Sequence, residues 1–381
     1  MSFKTSAEQE AIRGAVKEFA EEEIKPVARE HDESGEYPEE LRRKAAELDF
    51  VAPHIPLDYG GAGMDMLSRC IVTEELWRAD PGIGSAIGSA GFGTSMILEY
   101  GSEWMKEEWL PRIAAGDSAS CSCISEPAHG SNVAGIETFA EEDGDGYVLN
   151  GNKMWITNGT VADIAVVMAK TDLDAEPAHK GITAFLVPTE HEGFQPNKID
   201  NKLGIKASDL AEVVIDDVRV PEENVIGEVN KGFYQLMDFF ASGRTGVAAQ
   251  AVGAAQGALD VAVEYANERE QFGQKIKDFQ AIEHKIAEMA TSVEAARSLT
   301  YRAAGHVEGE KDDTAVRLAS MAKLFASEHA VDVADESVQV HGGAGYVTDH
   351  PAERFYRDAR ITKIYEGTSE IQKNIISDRV L

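Results

Sequence analysis

The chain has 381 residues, 43% of them hydrophobic, and carries 67 acidic residues against 36 Lys plus Arg, a formal net charge of −31 with His neutral. This length allows two or three packed units with substantial cores, and the ordinary apolar fraction excludes wholesale disorder. The acidic surface repels nucleic acid and anionic membranes, and no stretch approaches the run of about 20 apolar residues that would permit membrane insertion.

The acidic excess is spread along the chain, with short clusters at residues 21–23 and 141–145 and no acidic tail. Such loading serves solubility or, the favoured reading, adaptation to high salt, where ions screen the self-repulsion that would otherwise loosen the fold. The N-terminal stretch, from Met1 to Glu23, lacks the apolar core of a signal peptide and reads as amphipathic helix, so a cytoplasmic protein is expected. Cys70, Cys121 and Cys123 are the only cysteines, and Cys121-Ser-Cys123 is too closely spaced for an ordinary disulfide. With no CxxC or HExxH, they read as small buried fillers, and no metal site is expected.

Residues 1–120 read as a helical domain. Ile12, Val16 and Phe19 share one helix face, and Pro26, Pro38, Pro53 and Pro56 punctuate the stretch after it, with a turn at Tyr59-Gly-Gly-Ala-Gly63. Gly82-Ile-Gly-Ser-Ala-Ile-Gly88 invites comparison with a dinucleotide-binding loop, but no strand precedes it. Its small residues allow close approach either of another helix or of a slender ligand.

Residues 121–225 read as a small antiparallel β-domain. Short β-rich runs occur at Tyr147-Val-Leu149, Asp163-Ile-Ala-Val-Val-Met168, Ile182-Thr-Ala-Phe-Leu-Val187 and Val213-Val-Ile215, with a hairpin turn at Asp143-Gly-Asp-Gly146. Residues 226–381 return to long helices. Ile282, Ile286, Met289, Val293 and Ala296 form one apolar stripe, and Leu318, Met321 and Phe325 continue the style. The fold class is therefore α+β: a helical domain, an antiparallel β-domain and a helical bundle, with a ligand expected where they meet.

The most informative segment is Ile364-Tyr-Glu-Gly-Thr-Ser-Glu-Ile-Gln372. Ser369 and Gln372 fit a capping box, so a helix is expected to start there, with Glu366 and Gly367 in the turn before it. A carboxylate on a glycine-hinged turn can serve as a general base or simply sit in solvent, and the turn alone does not choose between them.

Six segments, in order along the chain, resemble the acyl-CoA dehydrogenase family. They are Ile55-Pro-Leu-Asp-Tyr-Gly-Gly-Ala-Gly63, Cys123-Ile-Ser-Glu-Pro-Ala-His-Gly-Ser-Asn-Val-Ala-Gly135, Lys153-Met-Trp-Ile-Thr-Asn-Gly159, Arg269-Glu-Gln-Phe-Gly273, Gln339-Val-His-Gly-Gly-Ala-Gly-Tyr346 and Tyr365-Glu-Gly-Thr368. In motif style the short-chain, butyryl-type members are the nearest.

The resemblance implies FAD-dependent α,β-dehydrogenation of an acyl-CoA to the trans-2-enoyl-CoA, with Glu366 removing the α-proton and electrons leaving to an electron-transfer flavoprotein. It assigns flavin contacts to Cys123, Ser125, Ser131, Trp155, Ile156 and Thr157, and to Gly367, Thr368 and Glu370. A second set, Arg269, Gln271, Phe272, Gln339, Gly342 and Gly343, grips the flavin of a neighbouring subunit in this family, which implies a homotetramer built as a dimer of dimers. Substrate contacts fall on Ser131, Phe240, Arg244, Tyr365 and Gly367. The Glu366 N–H and a flavin ribityl hydroxyl would polarise the thioester oxygen. Some branches of the family place the base on the long helix just before an Arg, but here that position is Gly243, beside Arg244.

The chain departs from the family pattern at Ala128, His129 and Asn132; His129 reads first as a solvated loop residue, with altered contacts to the CoA arm as the alternative. Two alternatives stay open: an oxidase of the same fold, disfavoured because the chain stops shortly after Glu366, and a non-catalytic binding relative.

Overall fold

The computed structural model describes residues 5–308 and 312–381. Residues 1–4 of the expected N-terminal amphipathic stretch lie outside it. The first helix, α1 (Ala7–Phe19), starts at a capping box formed by Ser6 and Gln9 and buries Val16 and Phe19, as the spacing predicts. A π-helical turn, Ala20–Ile24, continues it. Then come α2 (Ala28–Ser34), α3 (Glu39–Ala46), α4 (Met66–Ala79), α5 (Pro81–Gly88), α6 (Thr94–Tyr100) and α7 (Glu103–Ala114).

The β-domain holds β1 (Ser120–Cys123), β2 (Phe139–Asp143), β3 (Gly146–Thr157), β4 (Ile164–Lys170), β5 (Ile182–Pro188), β6 (Phe194–Lys198), β7 (Leu210–Pro221) and β8 (Val225–Ile226). Their order is β6-β7-β3-β2-β4-β5-β8, with β1 also paired to β4. The sheet is antiparallel except at two places: β1 runs parallel to β4, and β2 meets β4 in parallel at the Phe139–Lys170 step. The chain makes the first of these by leaving β1, forming the β2–β3 hairpin and returning in the same direction as it left. The expected turn at 143–146 closes that hairpin.

The C-terminal bundle comprises α8 (Gly232–Glu268), a small hairpin of β9 (Glu270–Gln271) and β10 (Gln274–Lys275), α9 (Gln280–Val307), α10 (Asp313–His341), α11 (Ala352–Ala359) and α12 (Ser369–Ser377). Of the predicted α9 stripe, Met289, Val293 and Ala296 are buried, while Ile282 and Ile286 pack against that core half-covered. The long α8 lies against α4 at close range: a β-carbon on Gly253 or Gly257 would sit 2.4 Å from the carbonyl oxygens of Glu74 or Arg78. Small residues at the crossing thus bring the N-terminal domain onto the bundle. Trp77 of α4 is fully buried among bundle residues.

Candidate active site

The turn before α12 carries the site. From α11 the chain passes through a 3-10 turn, Arg360–Lys363, into Glu366 at φ 53° and Gly367 at φ 90°. A left-handed glutamate is costly, and such strain persists only where its surroundings impose it. Here they do. Gln372 Nε2 donates to the carbonyls of Glu366 (3.2 Å) and Gly367 (2.8 Å), and Lys323 Nζ of α10 donates to the Gly367 carbonyl at 2.7 Å.

The helix start differs from the expected capping box. Thr368, one residue earlier than Ser369, is the N-cap and accepts from the Ile371 N–H. Ser369 Oγ instead donates to Glu328 at 2.6 Å. Gln372 is drawn to the two turn carbonyls, which the left-handed backbone exposes, rather than to the cap N–H.

Glu366 Oε2 is buried and has no hydrogen-bond partner among the described residues. Burial raises the Glu366 carboxyl to about 7, against the opposing pull of Arg244 and Lys323. Arg244, on α8, is itself buried, with an Nε that has no partner among the described residues and its guanidinium 5.7 Å from the Phe240 ring centre. Burial lowers it to about 10, with Glu366 acting in the other direction. Gly243 faces the carboxylate directly, and a β-carbon there would lie 2.8 Å from Glu366 Oε2. The Tyr365 hydroxyl donates to Gln250 of α8. Burial first, and then the Glu366 charge, hold that phenol well above its ordinary range.

The β-domain presents a second face. Between Lys153 and Ile156 the β3–β7 register slips, and within this bulge Trp155 takes φ 64° and is 61% exposed. Bulges re-aim side chains in this way. Thr157 beside it is half-buried. Ile156 and Cys123 point into the sheet core, so toward any ligand they offer only backbone. Ser125 accepts the Met154 N–H at 2.9 Å through its carbonyl, and Ser131 is exposed.

His129 is not the freely solvated residue expected. It is half-buried, with Nε2 3.7 Å from Glu137, and its ring and Asn132 fill the space beside Gly135, where a β-carbon would meet them at 2.8 and 2.5 Å. Two of the three departures from the family pattern, His129 and Asn132, therefore pack against one glycine.

Most of the glycines in the small-residue stretch at 82–88 and just after it serve close packing. A β-carbon on Gly84 would press on Leu76 of α4 at 2.9 Å, on Gly91 against Ala52 at 2.6 Å, and on Gly93 against Ser122 at 2.5 Å. Only Gly88, of these four, has open space beside it.

The remaining candidates lie elsewhere on the bundle. Arg269 caps α8, and Gln271, Phe272 and Gly273 form the exposed tip of the β9–β10 hairpin, where Phe272 is 95% exposed at φ 53°. Gln339, Gly342 and Gly343 are exposed where α10 ends, with Gly342 at φ 60° as the C-cap. At 1.5 Å per residue, Arg269 is about 37 Å along α8 from Arg244. Glu366, Gly367, Thr368, Tyr365, Arg244 and Phe240 are gathered where α8 and α12 each pack on α10 and the turn before α12 reaches α8, and Glu370 is exposed on the first turn of α12.

Three residues that sequence pattern alone does not single out shape the site. Lys153 is fully buried, and its Nζ donates to Glu126 (2.9 Å) and to the Ile124 carbonyl (3.1 Å). Glu126 also accepts the Glu137 and Thr138 N–H groups at 2.5 and 2.9 Å. This pair ties the Cys123–Gly135 segment to the strand bearing Trp155. Lys323 is the third. It does leave a faint signal, as the single charge in the run Leu318-Ala-Ser-Met-Ala-Lys-Leu-Phe-Ala326.

Residues 6–117, 121–218 and 230–381 match the acyl-CoA dehydrogenase N-terminal, middle and C-terminal domains. The chain is 42% identical over 372 residues to the short-chain specific acyl-CoA dehydrogenase of rat mitochondria, covering 97% of this chain and 89% of that one. It superposes on butyryl-CoA dehydrogenase of Megasphaera elsdenii with a TM-score of 0.95 at 38% identity, over 100% of both chains. A chain solved in work on the electron transferring flavoprotein of Acidaminococcus fermentans gives 0.96 at 40% identity, again over 100% of both. Sequence order, three-part fold and full-length similarity agree, and the chain belongs to the acyl-CoA dehydrogenase family, FAD-dependent oxidoreductases acting on CH–CH groups.

Proposed function

We propose that this chain converts an acyl-CoA to its trans-2-enoyl-CoA, with Glu366 as the base and an electron-transfer flavoprotein as acceptor. The observation that carries this reading is the unpartnered, buried Oε2 of Glu366, held on a strained turn with its carboxyl near 7. A base works best when its pKa approaches the working pH, and a carboxylate left without a donor is free to take a proton from carbon.

The chain's residues fit FAD. Trp155 stands out from its bulge, Thr157 lies beside it, and the Gly342–Gly343 turn leaves open space where a phosphate could approach backbone N–H groups. When bound, FAD supplies the acceptor for the β-hydride. Glu366 takes the α-proton, and its N–H, directed by the locked turn, polarises the thioester oxygen as enolate character grows. Arg244 lends positive charge to the same end of the site, offsetting both the base and the developing oxyanion.

The roughly 37 Å between Arg244 and Arg269 along α8, and the roughly 24 Å between Lys323 and Gln339 along α10, support assigning the hairpin and the Gln339–Gly343 turn to a neighbouring subunit's flavin. The oligomer proposed is a dimer of dimers. The free, buried cysteines suit a reducing cytoplasm.

The test is an anaerobic visible spectrum of the flavin-loaded protein, in high salt, titrated with acyl-CoAs of graded chain length. Bleaching is expected with one length class, and Glu366→Gln is expected to retain flavin while slowing bleaching by ~10³-fold. A bound flavin that no acyl-CoA reduces would remove the reaction. Aerobic peroxide formed in step with turnover would convert the reading to an oxidase.

A further inference from the structure

Lys323 is fully buried in α10, yet its ammonium donates to the Gly367 carbonyl in the turn that carries the base. A buried amine is costly unless its surroundings repay it. The charged groups facing this one are Glu366 on the turn, Arg244 on α8, Glu328 on its own helix and Glu370 on α12. Glu328 is already engaged by Lys363 and by Ser369 Oγ. Glu370 is exposed, where solvent screens it. Glu366 is left as the carboxylate whose charge Lys323 can steady. Facing Glu366 in turn are Arg244 and Lys323, with the Tyr365 phenol beside it and Arg379 acting on Arg244.

We propose that Lys323 is a positioning residue of this site: together with Gln372, its hydrogen bond fixes the Gly367 carbonyl and the left-handed turn, and its positive charge keeps Glu366 ionised enough to act as the base. The inference rests on the reading of Glu366 as that base. Arg244 cannot substitute for it, because the guanidinium makes no hydrogen bond to the turn among those described. Burial pulls the Lys323 amine down to about 8 while Glu366 opposes that fall, so the two groups exchange charge over neighbouring pH ranges.

The experiment is an infrared titration of the flavin-loaded protein without substrate, following the protonated carboxyl stretch of Glu366, identified by its loss in Glu366→Gln. Lys323→Met is expected to move the midpoint upward by about one pH unit. Lys323→Arg, which keeps the charge, is expected to hold the wild-type midpoint. With acyl-CoA, the pH profile of kcat should follow the same shift, so that Lys323→Met is about fivefold slower at neutral pH and recovers in alkali. If Lys323→Met does not fold, Lys323→Gln makes the same comparison, being neutral but still able to donate to the carbonyl. A midpoint unchanged in the neutral variant, or moved equally by Arg, overturns the proposal. Because the titration needs no turnover, the two failures are distinguishable: failure to oxidise any acyl-CoA would remove the reaction while the Lys323-dependent midpoint remained, and a midpoint indifferent to Lys323 would remove the inference while the reaction remained.

Discussion

At Gly243 a β-carbon would stand 2.8 Å from Glu366 Oε2, closer than real side chains tolerate, so α8 must leave that position bare for a carboxylate arriving from the turn. The crowded atom is the far end of a flexible side chain, so Gly243→Ala would be accommodated by pushing the base aside rather than by disturbing the helix. Alanine is also the better helix former, by about 1 kcal/mol. The variant is therefore expected to keep or raise its Tm, retain flavin and lose about 10²-fold in the rate of flavin reduction, since small misplacements of a base are costly. Stopped-flow reduction beside a thermal melt checks both halves; a rate equal to wild type would show that the two positions do not compete.

The same carboxyl has a pH signature. Burial raises Glu366 from its ordinary value of 4.5 to about 7 in the folded protein. Proton abstraction needs the ionised form, so the reduction rate is expected to climb as pH rises through about 7 and then level off. Stability runs the other way. A carboxyl with a raised folded pKa favours the folded state most below its unfolded value, and that contribution is lost as pH rises toward 7. Glu366→Gln should thus gain in Tm relative to wild type between about pH 5 and pH 8, which paired melts across that range would measure.

Among elements, the loop joining β1 to β2 depends on a buried ion pair rather than on a core of its own. Glu126 is lowered from its ordinary range: burial opposes this, but Lys153 and the Thr138 and Glu137 donors outweigh it. Glu126→Ala leaves the Lys153 ammonium buried without its counter-ion, a loss of about 3–5 kcal/mol. The Cys123–Gly135 segment would also come free from the Trp155 strand, so weaker flavin retention is expected along with the lower Tm. In the wild type this contribution is present above the unfolded carboxylate pKa and is lost on acidification. A variant that melts like wild type and keeps its flavin would contradict the role given to the pair.

These elements also show where the sequence was readable. Helical stripes such as Met289, Val293 and Ala296 repeat over several turns and bury as their period requires. β1 and β8 are too short for a two-residue alternation to register: β1 is buried at all four positions and β8 is only two residues long. β6 is exposed at four of five positions, so its sequence carries no apolar face. At the site, the glutamate turn stood out through its surrounding word, whereas Lys153, Glu126 and Lys323 look like solvated charges until tertiary packing encloses them. The cap moved from Ser369 to Thr368 for a related reason, since the demands of the turn carbonyls are invisible to local pattern.

On the scale of the whole molecule, a net charge of −31 must be held together within each subunit and, in the proposed dimer of dimers, multiplied across the assembly. The exposed aromatic side chains Phe272 (95%) and Tyr346 (86%) mark surfaces whose burial would favour association, but like-charged subunits approaching one another oppose it. Salt decides the balance. The Debye length falls from ~10 Å at 0.1 M to ~3 Å at 1 M, which removes repulsion between exposed carboxylates while sparing buried pairs such as Lys153–Glu126. Tm is therefore expected to rise by about 5 °C over that interval, and the sedimenting species to grow toward the tetramer. Screening is nearly complete by 1 M, whereas stabilisation through solute exclusion keeps increasing with concentration, so a plateau identifies charge repulsion as the cause. A Tm that is flat or falls with added salt would instead mean that the acidic surface serves solubility alone, and the high-salt adaptation inferred from composition would have to be given up.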